Sequence, residues 1–107
     1  MRFMLNGSIW EIKMISNDEM MSRVNDMEGF THGLTEYSQN IIYINESTPA
    51  IKRALYHELL HCWLYEHGHN QFEGKRFNNE DLCEISACSH DIIDELAKDY
   101  LAKIDIN

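Results

Sequence analysis

The chain has 107 residues, 44% of them hydrophobic, which is enough for one globular domain with a single core but not for two. Eighteen Asp and Glu against nine Lys and Arg give a formal charge of −9, which argues against nucleic-acid binding, because that requires a basic footprint. No apolar run is long enough for a membrane span, and Asn6-Gly7-Ser8 interrupts the first residues before a signal peptide could form, so the expected compartment is the cytoplasm.

In chain order, Phe3, Met4 and Leu5 lead into Asn6-Gly7, a strong two-residue turn signal. Beyond it, Trp10, Ile12 and Met14 alternate with Glu11 and Lys13, predicting a β-hairpin. Ser16-Asn17-Asp18-Glu19 is a capping box, and Met20, Val24 and Met27 mark a short amphipathic helix ended by Gly29. Gly33 to Tyr37 and Asn40 to Asn45 flank a polar turn at Ser38-Gln39 and predict a second antiparallel hairpin. Thr48-Pro49 then opens a helix, with a hydroxyl cap and proline at the first helical position, and Gly68 closes it. This helix is apolar nearly all round and is expected at the centre of the domain.

Inside it, His57, Glu58 and His61 spell H-E-x-x-H. At about 100° per residue the two histidines lie about 40° apart, with Glu58 about 100° from the first, so the three converge. Two neutral imidazoles one turn apart on a rigid element give two zinc ligands. The adjacent glutamate, offset around the helix, reaches a zinc-activated water rather than the metal, and so becomes the general base. Unpartnered polar groups in such an apolar helix would cost several kcal/mol, and a metal supplies a partner.

A polar loop from Glu66 to Asn78 follows, and then a long helix from Glu80 to about Ile104. Its apolar stripe is Leu82, Ile85, Ser89, Ile92, Ile93, Leu96 and Tyr100. Cys62, Cys83 and Cys88 form an odd set with no C-x-x-C, and are expected as small buried fillers where the two helices pack. A structural zinc site from Cys83, Cys88 and His90 has a spacing unlike common zinc knuckles. The last residues, Lys103 to Asn107, are expected to fray.

Together, H-E-L-L-H at His57 to His61 and the downstream Asn79-Glu80-Asp81-Leu82-Cys83-Glu84 resemble the zincin metallopeptidases of the gluzincin branch. The wider chain, from about His32 to Leu96, resembles small ImmA/IrrE-like and phage-type zincins and the minimal gluzincins. The resemblance implies an α+β domain in which a short antiparallel sheet packs on the active-site helix and a C-terminal helix donates the third ligand. It also implies one Zn2+ ion held by His57, His61 and Glu80, with Glu84 as the acid that orients a ligand imidazole or as the alternative ligand. Cys83 and Glu84 depart from the family's small residue and aspartate, which leaves that division open. Ile42, Tyr43 and Ile44 fall where such peptidases keep the edge strand that holds an extended peptide. Tyr65, His67 and His69 are candidates to stabilise the oxyanion. The implied activity is peptide hydrolysis, on a peptide or a regulatory protein of phage or mobile-element type. A catalytically silent zinc-binding regulator is the alternative.

Overall fold

In the computed structural model, which describes residues 1–24, 29–68 and 78–105, the opening turn has the expected geometry. Asn6 and Gly7 take φ of 50° and 84°, the left-handed pair that a tight hairpin needs. They join β1 (Arg2–Leu5) to β2 (Ser8–Ile15), with Leu5 opposite Ser8 and Arg2 opposite Glu11. Alternation along the strands buries Phe3, Leu5, Trp10 and Ile12 together. Ser16 caps α1 (Asn17–Val24) by accepting the Glu19 N–H at 3.1 Å. Met20 is buried beneath α1 against Ile15 and Tyr43, with Val24 packed alongside, while the expected contribution of Met27 lies outside the described residues.

The second hairpin, β3 (Gly33–Glu36) and β4 (Ile41–Asn45), also forms where its pattern predicts. The sheet order is β1-β2-β4-β3, and here two expectations are corrected. The sheet is mixed, not antiparallel throughout, because β4 runs parallel to β2, pairing Ile12 with Ile42 and Met14 with Ile44. And Ile42, Tyr43 and Ile44 are not an edge. Ile42 and Ile44 pack with the main core and Tyr43 with the α1 cluster, so β4 is apolar on both faces, as an interior strand requires. The outer strand on this side is β3.

The central helix, α2, spans Ile51–Glu66. It starts two residues later than Thr48-Pro49 suggests, with Ala50 at the cap position and no side-chain cap. The Thr48 hydroxyl instead accepts the Ala50 N–H at 3.1 Å and bonds His32 Nδ1 at 2.6 Å. The C-terminus follows expectation: Gly68 takes φ 77° and its N–H donates to the Tyr65 carbonyl at 3.1 Å. Glu66 fastens this end to the first hairpin. Its carboxylate accepts from Trp10 Nε1 at 2.8 Å and Ser8 Oγ at 3.1 Å, and its carbonyl from Asn6 Nδ2 at 2.9 Å.

α3 (Asn79–Asp105) begins with a reciprocal cap, Asn78 Oδ1 accepting the Asp81 N–H and Asp81 Oδ2 the Asn78 N–H. Ile85, Ser89, Ile93, Ala97 and Tyr100 form its buried stripe. The Tyr56 hydroxyl donates to Asp94, which also pairs with Lys98 at 2.8 Å, so that face of α2 is tied to α3. Three expectations fail at the start of α3. Leu82 is 53% exposed, and Cys83 and Cys88 are exposed rather than buried fillers. Cys83 lies about 200° from Ile85 and Cys88 about 100° from Ser89, which turns both away from the stripe. Cys62 is buried, and burial pushes its thiol up and leaves it inert. Among the described residues the result is a small α+β domain of a four-stranded sheet and three helices. No described helix is long and apolar enough to cross a membrane.

Candidate metal centre

On α2 the side chains at positions 57, 58 and 61 fall between the face tied to α3 and the face laid on β3. The Nε2 atoms of His57 and His61 stand 3.1 Å apart with their rings at 77°, and Glu58 Oε2 is 4.0 Å from His57 Nε2. One potential ligand atom from each of the three lies within 4.8 Å of the others, and no other such group occurs among the described residues. At that separation the two nitrogens either share one proton or face a common cation. About 3.3 Å is the spacing set by tetrahedral zinc with Zn–N bonds of 2.0–2.1 Å, so the pair fits that ion. Burial is the main reason that His61 titrates below the usual imidazole range. The Glu58 carboxylate opposes the shift and His57 adds to it, and the net effect favours the neutral, ligating form.

Glu58 differs from its neighbours in being only 6% exposed. Its Oε1 accepts the Thr35 hydroxyl of β3 at 2.8 Å, which fixes the carboxylate on the side of the helix facing the edge strand. The approach of β3 depends on Gly33. A Cβ there would lie 2.8 Å from Glu58 Cγ, closer than packed carbon atoms come. Gly33→Ala is therefore expected to displace the Glu58 side chain and to cost about 1–3 kcal/mol in denaturant unfolding, as overpacking does. An unchanged midpoint would show that β3 yields freely.

A cleft of ≈ 400 Å³ opens here between the start of α2 and β3, lined by His32, Gly33, Arg53, Ala54, His57 and Glu58, with Ala50 at its end. On the other flank of His57 a groove runs between α2 and α3 past Tyr56, Leu60, Leu82 and His90. Sequence reasoning missed His32, Thr35 and Arg53. It also read Gly33 only as the start of a strand, although an isolated strand glycine signals the close approach of another group.

The remaining expected site residues are not gathered at the cluster. Glu80 and Glu84 are exposed on the opening turns of α3, outside the His57-Glu58-His61 group. Glu84 Oε1 accepts from Cys88 Sγ at 3.2 Å rather than from an imidazole. Tyr65 packs among Trp10 and Tyr37, with ring centroids at 6.1 and 4.7 Å. His67 stacks on Trp63 and donates from Nδ1 to the Trp63 carbonyl at 2.7 Å. His69 lies outside the described residues. Cys83, Cys88 and His90 form no ligand group. In comparisons with known proteins, the chain matches no family model, no curated protein and no solved structure.

Proposed function

We propose that the protein is a cytoplasmic zinc metallopeptidase of gluzincin type, which cleaves a peptide or a regulatory protein. The observation that carries this reading is the facing pair of imidazole nitrogens 3.1 Å apart beside a buried, hydroxyl-held glutamate. His57 and His61 would hold the ion, with Glu80 as the third ligand and Glu84 as the alternative, both carried on the helix that packs against α2. When bound, zinc supplies Lewis acidity, which acidifies water and polarises a carbonyl. Glu58 takes the proton of the attacking water and hands it to the departing amine. Thr35 keeps the carboxylate aimed during both transfers. Because β4 is interior, an extended peptide would add beside β3, the outer strand, whose Gly33 lines the cleft.

A second reading has one observation in its favour. Glu80 and Glu84 stand apart from the histidines, as they would in a zinc-binding regulatory or interaction protein that performs no hydrolysis.

Metal stoichiometry tests the shared premise of both readings. Mass spectrometry of the zinc-reconstituted protein is expected to give one ion per chain, and His57→Ala and His61→Ala should each abolish it. Glu80→Ala and Glu84→Ala identify the carboxylate by which of them weakens binding. Wild-type protein that retains no zinc would overturn the proposal.

A further inference from the structure

Arg53 lies one turn before His57, about 6 Å along the helix axis, and lines the same cleft as His57, Glu58 and His32. Its guanidinium makes no hydrogen bond or ion pair among the described residues. Arg53 is exposed, and Arg2 is likewise unpaired among the described residues, but Arg2 lies on β1 and does not line the cleft. Other cations have taken partners: Arg23 pairs with Glu19 and Glu36, Lys98 with Asp94, and Lys13 with Glu11, and Lys52 lies over the Tyr56 ring. Nor does Arg53 serve the helix that carries it. It sits in the first turn of α2, which contains no acid, and a cation there opposes the helix dipole. The one carboxylate lining the cleft, Glu58, is occupied by Thr35.

We propose that Arg53 is the specificity determinant of the cleft and binds a carboxylate of the substrate, an inference that rests on the metallopeptidase reading for the substrate's being a peptide. A guanidinium meets a carboxylate through two parallel hydrogen bonds, so it fixes orientation as well as charge. An extended chain advances about 3.3–3.6 Å per residue, so a carboxylate held at Arg53 belongs one or two residues from a carbonyl at His57. That carboxylate is either the peptide's C-terminus, which makes the cleft an exopeptidase site, or an acidic side chain within a longer chain.

The test is binding to the full-length Glu58→Gln protein, with and without zinc, followed by NMR shifts of the Gly33 and Ala54 amides. The probes are N-acetyl-Ala-Ala, its C-terminal amide and N-acetyl-Ala-Glu amide. The free acid, the glutamyl amide or both should bind about tenfold or more tightly than the plain amide, as a charge-assisted contact does. Whichever does so identifies the source of the carboxylate. Arg53→Gln should erase the preference while zinc content stays the same, and Arg53→Lys should restore part of it. Equal binding of all three probes, no binding of any, or a preference that survives Arg53→Gln would overturn the proposal. Failure of the metallopeptidase reading looks different: no zinc is retained, yet the acid preference and its loss in Arg53→Gln persist.

Discussion

Glu58→Gln should lower peptide hydrolysis by about 10²–10⁴-fold while leaving zinc content and the far-ultraviolet circular dichroism spectrum unchanged. The substitution isolates chemistry from structure, because glutamine has nearly the same volume and its amide oxygen can still accept the Thr35 hydroxyl that Glu58 accepts at 2.8 Å. What it removes is the capacity to hold a proton between water and leaving group. The expected loss equals about 2.7–5.4 kcal/mol of barrier, at 1.36 kcal/mol per tenfold. Among the described residues, Glu58 is the one carboxylate in the group with His57 and His61. Cleavage that is indifferent to Glu58→Gln would remove the general base, and with it the hydrolase reading, in favour of the silent zinc-binding protein.

The largest expected effect on stability comes from Trp10→Ala. Trp10 is 0% exposed, its ring meets Tyr37 and Tyr65 edge-on, and its indole N–H donates to Glu66 at 2.8 Å. Truncation of such a ring costs about 3–5 kcal/mol, and a domain of this size holds only about 5–15 kcal/mol in all. Urea unfolding should therefore show a midpoint lowered by about a fifth or more at an unchanged slope. Trp10→Phe separates the two contributions, since it keeps most of the packing and loses only the donor to Glu66, at about 1–3 kcal/mol. A loss below about 1 kcal/mol for the alanine variant, where buried aromatics cost several, would mean that the first hairpin is peripheral.

Much of this was legible in the sequence, because local chemistry decided it. Asn6-Gly7 could hardly be anything but a tight turn, Ser16 supplies its half of the expected capping box by accepting the Glu19 N–H while the Glu19 carboxylate takes Arg23, and Gly68 stops α2 by taking a left-handed conformation. The convergence of His57, Glu58 and His61 follows from helical spacing alone. What was not legible depends on distant partners. The run Ile41 to Ile44 reads as a strand, but nothing within it says that β2 will take one side and β3 the other. The exposure of Cys83 and Cys88 depends on which face of α3 meets α2, and a stripe of mixed size leaves that angle loosely specified. Thr35 and His32 carry no periodic signal, and the bond of Thr35 to Glu58 and the place of His32 at the cleft come from the approach of β3 to the helix at Gly33.

The three bonds collected by Glu66 reach residues 56 to 60 positions upstream. They moor the far end of α2 to the first hairpin, while Thr48 and His32 steady its near end. The stiffness on which any ligand sphere at His57 and His61 would depend is thus borrowed from the first ten residues, which contribute nothing to the chemistry. A fragment trimmed to the motif and its adjoining strands would keep every proposed donor and still cast off that anchorage.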